Sequence, residues 1–325
     1  MKPLILAPLR GFTDAIFRNA FQHHFRGVDH AVAPFVTSLN GRHVTLSHLR
    51  DLAPSDNQAM PVVPQILSNS ISGFVTLAKA LVDLGYGEIN WNLGCPYPMV
   101  AKKMRGSGLL PHPDQIDRIL EQALPQVSAR FSIKTRLGRF GADEMAHLIP
   151  VFNRYPLARV IIHPRTGVQM YGGNVDLETF QTCLAHISHP VCYNGDIHDR
   201  AGFRQLQSRF PGVSGWMLGR GLLANPFLCE MIQHDTPCID NGPVRFAGFH
   251  DDLVAAYLDR FSGPGHVLDR MKGFWGYFAA GLVNGGRILK KIRKAGSLDR
   301  YRHEVAAFLK DEAQWVDPAV PSERG

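Results

Sequence analysis

No apolar run in this chain approaches the roughly 18 residues needed to span a bilayer, which excludes a membrane-spanning helix. The opening, Met1-Lys2-Pro3-Leu4-Ile5-Leu6-Ala7-Pro8, has too short an apolar stretch for a secretory leader and no small-residue cleavage site. A cytoplasmic location is therefore expected. Cysteine is scarce, with five residues (Cys95, Cys183, Cys192, Cys229 and Cys238) that are odd in number and widely spread. No C-x-x-C pair or Cys/His cluster has zinc spacing, so neither a disulfide framework nor a structural metal is indicated. The adjacent pair His23-His24 is not expected to hold a metal either, because neighbouring residues do not share a helix face. Also missing is a G-x-G-x-x-G after the first apolar segment, which runs instead into Ala7-Pro8-Leu9-Arg10-Gly11-Phe12-Thr13-Asp14. That weighs against a doubly wound dinucleotide fold.

What is present is enough chain, 325 residues, for one large domain and a smaller one. The formal charge of +7 points to a polyanionic partner, weakly by itself. Its placement says more. Arg287-Ile288-Leu289-Lys290-Lys291-Ile292-Arg293-Lys294 carries five cations in eight residues, with the apolar positions on one helical face. A solvated surface helix is the competing reading of that segment.

Eight strand-like segments punctuate the first part of the chain, at 4–9, 30–35, 62–67, 88–94, 131–137, 159–164, 190–194 and 215–218. Several are nearly continuous apolar runs, as parallel strands buried on both faces require. Helical spacing separates most of them, at 71–84, 113–123, 142–153 and 199–208, with Asp114 and Asp199 as start signals. Eight alternating units predict an α/β fold, a (β/α)8 barrel over residues 1–235. Residues 236–245 are rich in Pro, Gly and Asp and read as a linker. From 246 to 316 the period is helical, which predicts a small all-helical domain carrying the basic segment, and 317–325 is expected to fray.

A barrel gathers the C-terminal ends of its strands at one rim. Cys95 lies there, in Asn92-Leu93-Gly94-Cys95-Pro96, where a strand opens into a loop closing with Gly106-Ser107-Gly108-Leu109-Leu110. A small buried hydrophobe is the ordinary fate of a free cysteine. Around it the rim collects Pro8, Leu9, Gln65, Lys134, Arg136, His163, Asn194-Gly195-Asp196 and Gly219-Arg220-Gly221. Glycine-bearing turns after the last two strands are where such barrels cradle phosphate, and Arg220 adds a bidentate cation. A buried Lys134 is costly to desolvate unless negative charge accumulates beside it. His163 is equally a structural group or a ligand contact, and Gln65 either meets a heterocycle edge or lines the barrel. Together these residues suggest a phosphate-bearing aromatic cofactor with a thiol beside it.

The ordered set resembles the tRNA-dihydrouridine synthases, flavoenzymes that reduce the C5=C6 bond of uridine in folded RNA. Residues 7–14 are close to the family's A-P-M-x-G-x-T-D opening, and the Asn92–Pro96 run is the most specific piece. Lys134-Thr135-Arg136, His163-x-Arg165-Thr166 and the two glycine turns complete the set. The resemblance implies FMN contacts from Pro8, Leu9, Gln65, Lys134, His163, Asn194, Gly195, Asp196, Gly219 and Arg220. It implies that Asn92, Arg136 and Tyr171 hold the target base. Cys95 would give a proton to C5 after hydride from reduced FMN reaches C6. It further implies NADPH as reductant, tRNA or another structured RNA as partner, no metal, and a monomer. The helical tail matches the RNA-binding domain, and Arg270–Phe278 its basic-aromatic helix. The chain departs from the family habit at Leu9, at Pro164 and in the loop Tyr97-Pro98-Met99-Val100-Ala101. An FMN barrel oxidoreductase acting on a small molecule such as a free pyrimidine, and an RNA-binding flavoprotein without turnover, are the competing readings.

Overall fold

The computed structural model describes residues 1–39, 44–45, 47–236, 240–311 and 313–315. Cys238 and the expected frayed tail, 317–325, lie outside them. The strands are β1 (Leu4–Leu6), β2 (His30–Val32), β3 (Val36–Thr37), β4 (Val62–Val63), β5 (Gln65–Leu67), β6 (Glu88–Leu93), β7 (Arg130–Gly138), β8 (Leu157–Thr166), β9 (Val191–Asn194) and β10 (Gly215–Leu218). All pair in parallel, in the order β3-β5-β6-β7-β8-β9-β10-β1-β2-β4.

Two of the eight expected strands are broken. Segment 30–35 holds β2, its continuation β3 falling just past the expected end, and 62–67 appears as β4 and β5. The second break falls at Pro64, which has no N–H to give to a ladder. Because β2 pairs with β4 and β3 with β5, the two broken strands run side by side along their whole length. Counted as single strands, they close the ring between β1 and β6. The fold is an α/β barrel of eight parallel strands followed by helices. Its interior holds a small plug of Ile5, Ala7, Val32, Ile161, Cys192 and Met217.

The outer helices are α1 (Ala15–His24), α2 (Ile71–Asp83), α3 (Pro98–Ala101), α4 (Pro113–Ala123), α5 (Met145–Asn153), α6 (Leu177–His186), α7 (Arg200–Arg209), α8 (Arg220–Ala224) and α9 (Leu228–His234). Their starts follow local chemistry. Asp14, Ser70, Asp176 and Asp199 each accept a backbone N–H of the first turn, which satisfies an otherwise orphaned donor. Asp114 sits inside the first turn of α4 rather than capping it, because Pro113 takes the first helical position. On α4 the buried residues Ile116, Ile119, Leu120 and Ala123 follow the i, i+3, i+4, i+7 stripe.

Four helices follow the barrel: α10 (Gly242–Arg260), α11 (Pro264–Phe278), α12 (Gly285–Lys294) and α13 (Leu298–Asp311). Helix α10 starts inside the expected linker, since Pro243 in its first turn lacks only an N–H that would be unpaired anyway. Helix α10 packs on α1. The Phe249 ring lies 5.6 Å from Phe17, 6.4 Å from Phe21 and 5.0 Å from Phe25. The seam is also polar: the Tyr257 hydroxyl donates to both Asp14 carboxylate oxygens at 2.8 and 3.0 Å, and Arg270 donates to the Gly11 carbonyl. The first strand-to-helix loop of the barrel is thus held from outside by α10 and α11. Among the described residues no helix is long and apolar enough to cross a membrane.

Candidate active site

A cavity of about 380 Å³ opens at the C-terminal ends of the strands. Of the residues singled out from the sequence, Pro8, Leu9, Asn92, Cys95, Lys134, Arg136, His163, Tyr171, Asn194, Gly195, Asp196, Gly219 and Arg220 all line it. Gln65 is not among the lining residues. It is fully buried, its Nε2 donating to Asn90 Oδ1 at 2.7 Å and its Oε1 accepting from Asn92 Nδ2 at 2.8 Å. Asn90 in turn donates to Ser132 Oγ at 3.0 Å. This ladder of amides behind the wall of β5, β6 and β7 orients Asn92, whose Oδ1 accepts from the backbone N–H groups of Gly94 (3.1 Å) and Cys95 (2.9 Å). A chain of satisfied buried polar groups is what locks a loop in one conformation.

Cys95 is pinned from the other side too. Its carbonyl accepts from Ser107 N at 3.0 Å, bringing the end of the long loop back over the thiol. Gly106 sits at φ +57°, and a Cβ there would lie 2.8 Å from Cys95 Cβ. A Cβ on Gly108 would lie 2.2 Å from the Ala101 carbonyl oxygen. The Gly-Ser-Gly run is therefore a steric requirement of the fold-back. Arg139 bridges it, donating to Pro96 O at 3.3 Å and Ser107 Oγ at 3.2 Å. Burial pushes the Cys95 thiol pKa up, against a smaller opposing pull from a Tyr97 backbone hydrogen bond and from Arg10, Arg136 and Lys134. The sulfur is consequently a protonated thiol at neutral pH.

The same cavity holds a set of cations. Burial, with help from Arg136, lowers Lys134 to about 7. Arg136 is lowered to about 10, chiefly by burial; it donates to Thr166 O at 2.8 Å and lies 5.3 Å from the Tyr171 ring centroid. His163 is held well below its usual range by burial and by Arg136, Lys134 and Arg165. Arg165 Nη1 is 3.1 Å from His163 Nε2. Arginine can only donate, so Nε2 accepts and the neutral ring carries its proton on Nδ1.

Arg165 belongs to the His163-x-Arg165-Thr166 run, but the sequence assigned it no role. It is buried, and its fork grips Asp196 at 2.9 and 2.5 Å while also reaching Gly172 O and Gly173 O. Asp196 stands at φ +43° and also accepts from Arg220 Nη2 at 2.9 Å. Burial alone would raise its carboxyl, but hydrogen bonds from His198 and Arg165 and the charges of Arg165 and Arg220 hold it well below the usual range. Arg220 then lies 4.8 Å over Tyr171. Asp196 is thus the anionic hub that aims two arginines. The glycine turns interlock around this hub. A Cβ on Gly221 would lie 2.0 Å from Ile197 O, and one on Gly219 would lie 3.3 Å from Ala7 Cβ.

Sequence reasoning missed a further wall. Phe12 and Tyr277, with ring centroids 4.9 Å apart, both line the cavity, and Tyr277 comes from α11. Nothing local in the sequence marks a helical-tail tyrosine as a neighbour of residue 12. The expected basic-aromatic run of α11 also differs in use: Phe274, Trp275 and Phe278 are core, and Lys272 donates to Ala295 O at 2.7 Å.

The sequence model of the family described as Dihydrouridine synthase matches residues 5–260. The chain belongs to this family. A probable tRNA-dihydrouridine synthase of Staphylococcus epidermidis is 32% identical over 234 residues, covering 70% of each chain. One from Rhodobacter capsulatus is 30% identical over 234 residues, covering 71% of this chain and 70% of its own. Among solved structures, the old yellow enzyme from Trypanosoma cruzi superimposes with a TM-score of 0.53 at 14% identity, over 75% of this chain and 91% of its own. That likeness is one of fold. The family match ends at the last residue of α10, so α11 to α13, with Tyr277 and the basic segment, lie beyond it.

Proposed function

We propose that this chain reduces the C5=C6 bond of uridine in tRNA to 5,6-dihydrouridine, with FMN as cofactor and NADPH as reductant. The observation that carries the reading is a buried, protonated Cys95 thiol sharing one cavity with Lys134, neutral His163 and the Arg220 turn. The donor set fits FMN. Backbone at Gly195, Gly219 and Gly221 with Arg220 suits a phosphate monoester, and a side chain at Gly221 would collide with Ile197. A lysine whose pKa is lowered to about 7 by burial favours a neighbour that becomes anionic on reduction.

FMN held by these residues would, once reduced, be the source of hydride for C6 of the base. Cys95 would give its proton to C5, and Arg136 would donate to the uracil carbonyl oxygen on which charge develops. Asn92 holds the Cys95 backbone, and the stacked Arg136, Tyr171 and Arg220 offer a flat platform for a base drawn out of its helix. The reading takes the protein to be a cytoplasmic monomer.

Purified protein should be yellow and should release FMN on denaturation. Unmodified tRNA incubated with it and NADPH should gain the mass of two hydrogens at uridine. Cys95→Ala should keep the flavin and lose about 10²- to 10⁴-fold in turnover, the scale of a general acid. A colourless protein, or tRNA that never gains mass, would overturn the reading.

A further inference from the structure

The end of α1 brings together side chains that play no part in the cavity. His23 is exposed and His24 half-buried; their rings meet edge to face with centroids 4.8 Å apart. Asp252, on α10 and 228 residues from His24, accepts a hydrogen bond from His24 Nε2 at 2.7 Å. One ligand-type atom from each of the three residues lies within 4.8 Å of the others. Adjacent histidines on a regular helix point about 100° apart, which is why the pair looked unpromising in the sequence. The third group comes from the far side of the domain seam.

One face of α10 is shaped around His24. Arg245 donates to the His24 carbonyl at 2.6 and 3.0 Å, fixing the end of α1. One turn on, Gly248 leaves the space in which the His24 ring sits, since a Cβ there would lie 2.8 Å from Cε1 and 3.3 Å from Nδ1. A further turn on, Asp252 receives the opposite ring nitrogen. Residues 248 and 252 stand at i and i+4, so the void and the carboxylate are stacked on one stripe. The ring is thereby seated with Nε2 on Asp252, beside the exposed His23.

We propose that His23, His24 and Asp252 bind a divalent transition ion of the zinc type, pinning the end of α1 to α10. Two neutral imidazoles and a carboxylate are the donors such an ion prefers, and water completes a tetrahedral set. At bond lengths of about 2.0–2.1 Å the ligand atoms stand roughly 3.3 Å apart. The Nε2···Oδ2 pair opens by about 0.6 Å and His23 swings inward, movements that the exposed Asp252 and His23 side chains can make. On binding, the His24 ring exchanges its proton through solvent from Nε2 to Nδ1 and stays neutral, and the freed Nε2 lone pair goes to the metal. The ligands meet only in the folded chain, so the ion stabilises the seam.

The test is calorimetric titration of tag-free, full-length protein with ZnCl2 in a non-coordinating buffer, paired with thermal unfolding. One-to-one binding with a dissociation constant of about 10 μM or tighter is expected, with a rise in Tm. His23→Ala and Asp252→Asn should each weaken binding at least about tenfold, the loss of one ligand's worth of affinity, and abolish the Tm rise. Gly248→Ala, which displaces the His24 ring, should weaken it as well. The remote exposed His186 on α6 provides the control, and His186→Ala should leave binding unchanged. Absence of saturable binding, or equal losses in the His186 and His23 variants, would overturn the proposal. Neither flavin nor RNA enters the measurement, so its outcome is independent of the catalytic reading.

Discussion

At the scale of the residue, the cavity separates two acids by environment. The Cys95 thiol loses by burial more than nearby cations return, so it keeps its proton. Lys134 is pulled the other way, to about 7, because the same burial disfavours its charge. The sign for flavin binding follows. An anionic partner favours protonated Lys134, which the free protein holds readily below about 7 and must take up from solvent above it. Flavin affinity of the apoprotein should therefore fall as pH rises through 7 and beyond. Lys134→Met should bind more weakly at pH 6 and lose that component of the slope, as fluorescence titration of FMN across pH would show. An identical pH profile in the variant would remove Lys134 from the cofactor site. The places of Cys95, Lys134, His163 and Arg220 in the cavity wall were legible in the sequence, because each stands at a strand end where a barrel rim must be. Gln65 was not legible in the same way. Whether an inward amide meets a ligand or another amide depends on two neighbouring strands.

At the scale of the element, the loop from Cys95 to Leu110 is closed by sterics rather than by a cap. Gly106 at φ +57° packs on Cys95, and Gly108 packs on Ala101. Gly106→Ala should cost about 1–3 kcal/mol, the usual penalty for a side chain in the left-handed region. The effect should fall on turnover more than on global stability, since the loop lies at the rim of an intact barrel. Stopped-flow rates set beside a thermal melt would separate the two. A large fall in Tm with normal turnover would contradict the assignment of the loop to positioning the thiol. Elements with strong local signals, such as α4 with its apolar stripe and α7 with its Asp199 cap, were predictable to within a residue. The third strand was not resolved into its pieces, because Pro64 interrupts hydrogen bonding while the apolar run continues through it, and the second was ended short of Val36–Thr37.

At the scale of the whole molecule, charge and shape divide between two parts. Helix α12 buries Ile288 and Ile292 and exposes Arg287, Lys290, Lys291, Arg293 and Lys294, as its spacing required. Lys291 lies 3.6 Å from Glu304, so the neighbouring helix α13 tempers part of that field. Replacing Lys290, Lys291 and Arg293 with neutral residues should weaken tRNA binding. The slope of log K against log salt should fall by about one for each phosphate that is no longer neutralised. Filter binding at several salt concentrations would show it. An unchanged slope would return α12 to a solvated surface helix. This patch lies beyond the stretch shared with the family, whereas most of the cavity wall lies within it.

By itself the sequence determined the barrel, the helical tail and most of the rim, because strand ends in a barrel converge whatever their separation along the chain. It also determined that the thiol would sit in a stiff turn, since Gly94 and Pro96 act on their own neighbours. Tertiary structure alone decided what crosses between elements. Tyr277 joins Phe12 at the cavity, Arg165 grips Asp196, and Asp252 meets His23 and His24 across the seam. The physical reason is one of range. Periodicity, caps and turns report on a few neighbouring residues, whereas these contacts join groups as many as 265 residues apart and exist only once the core has brought two faces together.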